Sequence, residues 1–557
     1  MKLKPQLWPL ALLALSPSLL AQVIPGAGAQ LRQITPPPPP PLVEPAIRIE
    51  EATGPAPPGA ASASVLVNQL HFEGAHVYSE QELLQIAAFK PGSTLSLADL
   101  EAMAARITAH YRSHGYFVAR AYLPAQEVSE HRVTIAVREG QYGKVELRND
   151  SRLSKNLANG LLEGLDSGDP ITIEPLEHRL LLLSDIPGVK VTSTLVPGSM
   201  PGTSDLLVDV RPLRRVTGEV DVDNGGDPIT GEWRLGGTVF FNNLLGRGDV
   251  ASLRVVTAGS GLVFGRAAYQ AQFGRVTAGV AYSHLDYQLG DPFDALGANG
   301  IADVGSVFGS MALQRSRRSN LYLGAIYEHR RLEDRFDLFP GDGRRANANV
   351  GGFSLYGNHS DDLGAGGTTS FYVGVSAGSL DILTPAALAV DAATARTNGS
   401  YSKLWFNLSR LQHINGRLSI EASISGQLAS KNLDPSEEFV LGGMDGVRSY
   451  AQGEAFGDEG YLASVEARLL LAGASERMAG DVHLLGFVDG GHVRINADPW
   501  DNGPNERDLM GAGVGLEWND PGNFALRTYY AFRIGNEDPP FDADRSGRFW
   551  IQAIKYF

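Results

Sequence analysis

The 557-residue sequence contains no cysteine. That excludes disulfides, thiol nucleophiles and cysteine-based metal sites, and it suits an oxidising compartment whose proteins avoid stray thiols. Basic residues are the minority, 47 Lys and Arg against 62 Asp and Glu, and a net charge of -15 argues against nucleic acid, whose phosphates want a basic surface. No run of about 18 apolar residues exists, so no helical transmembrane span is available. There is no phosphate-binding P-loop and no Ser/His/Asp arrangement. His110 and His114 are four apart on an expected helix, a zinc-like spacing, but no third ligand lies near, so they read as solvent-facing helix residues. Asp221 to Glu232, "DVDNGGDPITGE", imitates a calcium loop, yet its fifth position is Gly225 and its flanks are strands; it reads as a hairpin loop. The sequence therefore predicts neither an enzyme nor a metal or cofactor site.

Glycine is abundant, at 65 residues, which suits many strands joined by tight turns. Residues 1–29 read as a secretory leader, with Lys2 and Lys4 before the apolar Leu7 to Leu20 stretch and small-residue cleavage sites near 21 or 29. Residues 30–64 follow as a proline-rich linker, too stiff and extended to pack a core.

Two similar modules come next, at 65–139 and 140–213, each with the expected order β-α-α-β-β. In the first, Ser79 with Glu82 and Ser96 with Asp99 are capping boxes that open helices. In the second, Leu153, Leu157 and Leu161, then Leu176, Leu180 and Leu183, mark two helices. From 214 to 557 the helical period gives way to alternation, as where Val216, Val220 and Val222 interleave with Thr217, Glu219 and Asp221. Alternating segments separated by turns, in an exported chain, predict an antiparallel membrane-spanning β-barrel with its outer face in lipid. About 20 residues per strand and turn gives roughly 14 to 18 strands, an even number, 16 being the expected one. The first hairpin turns outside near Asn224, and "NNLLGRGD" (Asn242 to Asp249) returns on the periplasmic side.

An ordered set of motifs now resembles a known group, the two-partner secretion transporters of the haemolysin secretion and activation type. "YRSHGYFVARAYLPAQEV" and "VTIAVREG" resemble its first POTRA domain, and "DIPGVKVTSTLVPGSMPGTSDLLVDV" its second. "NNLLGRGD", with Asn243, Gly246, Gly248 and Asp249, resembles the first periplasmic turn of its barrel. Val447-Arg448-Ser449-Tyr450 matches its VRGY tetrad, save that Ser449 stands where glycine is usual, and Phe487-x-Asp489-x-Gly491 matches its F-x-D-x-G strand. The resemblance implies an α+β pair of periplasmic POTRA repeats followed by the barrel. It implies that a loop, about 442–460, folds into the pore and that Arg448 pairs there with Asp489. Many members begin with a helix that plugs the barrel; here residues 22–34 are short and glycine-bearing, and both arrangements stay open.

The implied partner is one large secreted exoprotein with an N-terminal secretion domain, of haemolysin or adhesin type. POTRA domains would capture it by strand addition, and the monomeric barrel would pass it without ATP. Phe557 would serve recognition by the barrel-assembly machinery. The alternative is a factor that inserts other barrels; two modules rather than a longer series favour secretion. A passive porin leaves the modules unexplained.

Overall fold

The computed structural model describes residues 25–34, 46–49, 64–339, 341, 343–475, 478–535 and 546–557; the cleavage site expected near 21 lies outside them. The first described element is a short helix, α1 (Ala27–Arg32), whose Ala27 to Gln30 are buried. The alternative leader boundary at 29 falls inside this helix.

The linker also holds structure. Its segment β1 (Ala46–Ile49) pairs in parallel with β8 (Val189–Pro197) at the edge of the second module's sheet. The expectation of a purely extended spacer is corrected there: a strand needs only a free edge to pair with, and four residues suffice.

The first module departs from β-α-α-β-β by two short strands. "VLVNQLHF" is divided at Asn68 into β2 (Ser64–Val67) and β3 (Gln69–Glu73). After α2 (Glu80–Ala87), β4 (Ser93–Ser96) pairs back on β2, and α3 (Leu97–Ser113) follows. The capping boxes form: Ser79 and Ser96 backbone N–H groups donate to Glu82 and Asp99 at 2.8 and 2.9 Å. Then β5 (Arg120–Tyr122) and β6 (Arg132–Arg138) complete a sheet of order β3-β6-β5. Leu83, Met103, Ile107, Tyr111 and Ile135 fill the core beneath it.

The second module runs β7 (Gln141–Asn149), α4 (Lys155–Leu162), α5 (Ile173–Ser184), β8 and β9 (Thr203–Pro212). With β1 added, its sheet order is β1-β8-β9-β7. Leu161, Leu176, Leu180, Val191 and Val208 are its core, and that core continues into the barrel at Ala312.

The remaining chain is a closed antiparallel barrel of sixteen strands, from Val216–Asp223 to Gly547–Tyr556. Period-2 alternation builds its two faces. On the first strand Glu219, Asp221 and Asp223 point inward and are buried, while Val216, Val220 and Val222 point out. The same face of later strands carries Val307 and Phe353, 57% and 64% exposed, as a lipid-facing surface requires. Inward acids are matched by inward bases: Arg234 reaches Asp223 at 2.8 Å and Arg254 reaches Asp221 at 3.1 Å.

Closure rests on a short seam. The first and sixteenth strands pair from Glu219–Asp223 to Tyr556–Gln552, and Gly218 and Phe557 exchange backbone bonds of 3.1 and 3.0 Å below them. Above it Asn224 bonds through backbone and side chain together: its N–H donates to Ile551 O at 3.2 Å, and its side chain donates to Phe549 O and accepts from Ile551 N–H, both at 2.8 Å.

Candidate functional site

Two sets of residues singled out in the sequence occupy different parts of the barrel, one a periplasmic turn and the other the lumen. At the periplasmic end the turn Asn243 to Asp249 is stitched by its own side chains. Asp249, fully buried, accepts from the N–H groups of Leu245 (3.0 Å) and Arg247 (3.1 Å), and Asn243 Oδ1 accepts from Gly248 N–H at 3.1 Å. The second module sits on this turn. Ser154 N–H donates to Gly246 O at 2.8 Å, and a Cβ at Gly246 would lie 2.4 Å from Arg152 O. Only glycine allows that approach, its φ of 75° apart. A second clasp adds charge: Arg315 makes a two-pronged bond to Asp185 on the module, at 2.8 Å for each arm. Beside it, Arg317 meets Glu177 at 3.4 Å and His178 Nδ1 lies 3.3 Å from Arg315 O. Burial, together with the nearby guanidinium groups of Arg275, Arg179 and Arg315, lowers the His178 pKa, despite that hydrogen bond.

Inside the barrel lies the long loop between the eleventh strand (Leu418–Ala429) and the twelfth (Glu459–Ala472). It is longer than the expected 442–460, since its inward anchors begin at Asp434. Arg448 is 8% exposed and Asp489, on the thirteenth strand (Asp481–Arg494), 1%. The guanidinium donates through Nε to Oδ2 and through Nη2 to Oδ1 of Asp489, both at 2.8 Å, and the Arg448 backbone N–H adds a third bond at 3.3 Å. Nη1 is taken by Glu466 at 2.6 Å. The guanidinium also lies flat on Phe487, 3.4 Å from the ring centroid, while Trp550 Nε1 donates to Arg448 O at 2.6 Å. A planar fork with two carboxylates and a ring face is a geometry that lysine cannot copy. Removing one partner of so buried a pair costs about 3–5 kcal/mol, because the other charge is stranded.

Around the fork, Val447 and Tyr450 are buried with Leu441, Val493 and Leu509. Gly491 belongs to the same packing, since a Cβ there would lie 2.3 Å from Leu441. Ser449 is seated against Gly511, whose missing side chain leaves room for the serine's.

Further anchors on the loop carry no motif. Glu437 binds Arg330 at 2.5 Å and Lys403 at 2.6 Å, Asp434 binds Arg344, and Glu454 binds Arg507 at 3.0 Å. Glu466, Trp550 and these four acid–base contacts were missed by sequence reasoning. Polar inward residues recur on every strand of such a barrel, so nothing local distinguished them.

Helix α1 lies beside the loop in the lumen. Gln30 and Gln33 both donate to Asp227, at 3.0 Å each, from the hairpin that imitates a calcium loop. Ala27 N–H donates to Asp334 at 2.7 Å, and Arg32 donates to Glu438 O at 3.2 Å. A Cβ on Gly28 would lie 2.7 Å from Ser436 N, so this glycine lets helix and loop touch.

This architecture was compared with known proteins. The model of the family described as haemolysin secretion/activation protein ShlB/FhaC/HecB matches residues 202–518. The chain belongs to that family. A ShlB-type POTRA domain matches residues 65–140. The heme/hemopexin transporter protein HuxB of Haemophilus influenzae is 28% identical over 490 residues, covering 86% of this chain and 84% of HuxB. Among solved structures, CdiB from Escherichia coli aligns with TM-score 0.66 at 21% identity, covering 91% and 93% of the two chains. BamA from Haemophilus ducreyi, lacking POTRA domains 1-3, aligns with TM-score 0.52 at 15% identity, covering 88% and 100%. The family member described here is thus an outer-membrane β-barrel with periplasmic POTRA structure, a transporter of the two-partner secretion kind. The assembly-factor alternative is left with the distant likeness to BamA in fold alone.

Proposed function

We propose that this transporter captures one large exoprotein of haemolysin or adhesin type through its POTRA modules and threads it, unfolded, through the barrel to the cell surface. The observation that carries this reading is the double obstruction of the lumen: α1 and the long loop both enter it, and each is held by separable polar contacts beside its apolar packing. A permanently closed barrel has no use for charged anchors, since apolar packing would hold a loop as well. The Arg448–Asp489 pair acts as a latch, with Val447, Tyr450, Phe487 and Gly491 shaping its bed and α1 acting as a plug. The turn bearing Asn243, Gly246, Gly248 and Asp249 holds the second module beneath the pore. Leader cleavage falls near residue 21, which leaves α1 whole. The barrel works as a monomer, inserted by the barrel-assembly machinery.

Deleting the gene and comparing secreted and outer-membrane proteins by mass spectrometry tests the reading. Loss of one large exported protein, with other barrels intact, is the expected result; general depletion of barrels would restore the assembly-factor reading. HuxB's name speaks of heme/hemopexin cargo, and the same experiment decides whether the partner here is of that kind.

A further inference from the structure

The lumen wall carries a feature that neither plug nor latch uses. Tyr322, Tyr356, Tyr372 and Trp405 come from four consecutive strands, the seventh to the tenth, and their rings stack side by side. Centroids are 5.3, 5.8 and 5.9 Å apart, with interplanar angles of 13°, 22° and 25°. All four are half-buried. Their face is the inner one: Tyr322 shares it with Glu328 and with Arg330, which reaches Glu437 of the loop, and Trp405 shares it with Lys403. Gly374 makes room for the Trp405 ring, which a Cβ would approach to 2.5 Å.

The row climbs. Tyr322 is the fourth residue from the periplasmic end of its strand, Tyr356 and Tyr372 the sixth, Trp405 the ninth. At its foot Tyr322 packs on the core of the second POTRA module. At its head Trp405 lies under Lys403, 5.9 Å from ring centroid to Nζ, and Lys403 holds Glu437 of the loop. The plug helix packs instead on the fifth to seventh strands, and the latch sits on the twelfth and thirteenth.

We propose that this aromatic ladder is the track along which the exoprotein travels as an extended, unfolded chain. The inference rests on the transport reading above. The ladder is continuous with the module that receives the cargo, and it ends on a contact that must open for passage. Its chemistry fits an unfolded polypeptide of any sequence: stacked on one another, the rings leave their edges to the lumen, a continuous strip that meets apolar and aromatic side chains edge-on without selecting one residue. Its spacing suits sliding. Alternate side chains of an extended strand stand about 6.6–6.8 Å apart, slightly more than the rings, so successive contacts cannot all lock in register.

The test uses the full-length transporter in its host, with the exported protein that gene deletion removes as the probe. Tyr356→Ser, Tyr372→Ser and Trp405→Ser are combined, and the initial rate of export is followed by pulse-chase. A rate about tenfold lower is expected, the loss of roughly one ring contact's worth of binding along the path. The triple phenylalanine variant should export at the original rate, and the triple leucine variant should remain slow. Export at full rate from the serine variant overturns the proposal. Heat-modified migration checks that each barrel folds; should the triple variant fold poorly, Trp405→Ser alone and photo-crosslinking decide. A benzoylphenylalanine at Tyr372 should capture a stalled exoprotein several times better than one at Ser423, a ringless position on the inner face of the eleventh strand. Equal capture overturns the track. If gene deletion costs no exported protein, the transport reading itself fails; if it does and the serine variant exports normally, only the track falls.

Discussion

Ser449 and Gly511 share one space: a Cβ built on Gly511 would lie 2.1 Å from Ser449 Oγ and 2.6 Å from its Cβ. The latch loop therefore carries its serine by borrowing room from the fourteenth strand (Glu506–Asp520). Gly511→Ala is expected to destabilise the closed barrel by about 1–3 kcal/mol, the usual cost of overpacking. Adding Ser449→Gly should recover part of it; Phe532 O, 3.0 Å from the same Cβ, keeps the rest. The midpoint of heat-modified migration on gels reads both.

Arg448→Ala and Asp489→Ala should each lower export while the barrel still reaches the outer membrane. Each strands a buried charge, worth about 3–5 kcal/mol of the closed loop's stability. Arg448→Lys should behave like the alanine variant, because an ammonium cannot serve Asp489, Glu466 and the Phe487 face together. Absence of either variant from the outer membrane would mean that the pair is needed for folding and is no latch.

Asp227→Ala removes the shared acceptor of Gln30 and Gln33. Helix α1, six residues long and too short to persist alone, should then leave the lumen more often. Planar-bilayer recordings should show higher mean conductance than the unaltered protein. Unchanged conductance would assign the plug's hold to Asp334 and Arg32 instead.

Acid should loosen the clasp between the second module and the barrel. His178 has a lowered pKa in the docked state, from burial first and then Arg275, Arg179 and Arg315; the carboxylates nearby, Glu177 and Asp185, are engaged by Arg317 and Arg315. Its contribution to docking is present above the ordinary imidazole value, about 6.5, and is lost as pH falls below it. Limited proteolysis of the periplasmic region should therefore accelerate between pH 7.5 and 5.5, values set roughly one unit either side of that point. In a His178→Gln variant the acceleration should shrink.

Much of the architecture could be read from residue order alone, because barrel strands write their two faces in alternation and Ser79 and Ser96 announce their helices. What could not be read depended on partners distant in sequence. The segment β1 is four residues in a proline-rich stretch, and it is a strand only because β8 offers an edge. Helix α1 looked unpromising for its glycines, yet Gly28 is needed there for contact with Ser436. Arg448 and Asp489 could be named together through the motifs that carry them. Glu466 and Trp550, which complete the same pocket, look like any polar or aromatic residue of a strand.

The seam has a consequence for how the molecule is made. Asn224 and Phe549, which bond across it, are 325 residues apart in the chain, among the most distant neighbours in the structure. Contacts of such separation form late, since the loop they close costs the most entropy. Until Gly547–Tyr556 arrives, Val216–Asp223 presents an unpaired edge that lipid cannot satisfy. The barrel must be sheltered as an open sheet through its assembly in the membrane until its final ten paired residues turn it into a closed wall.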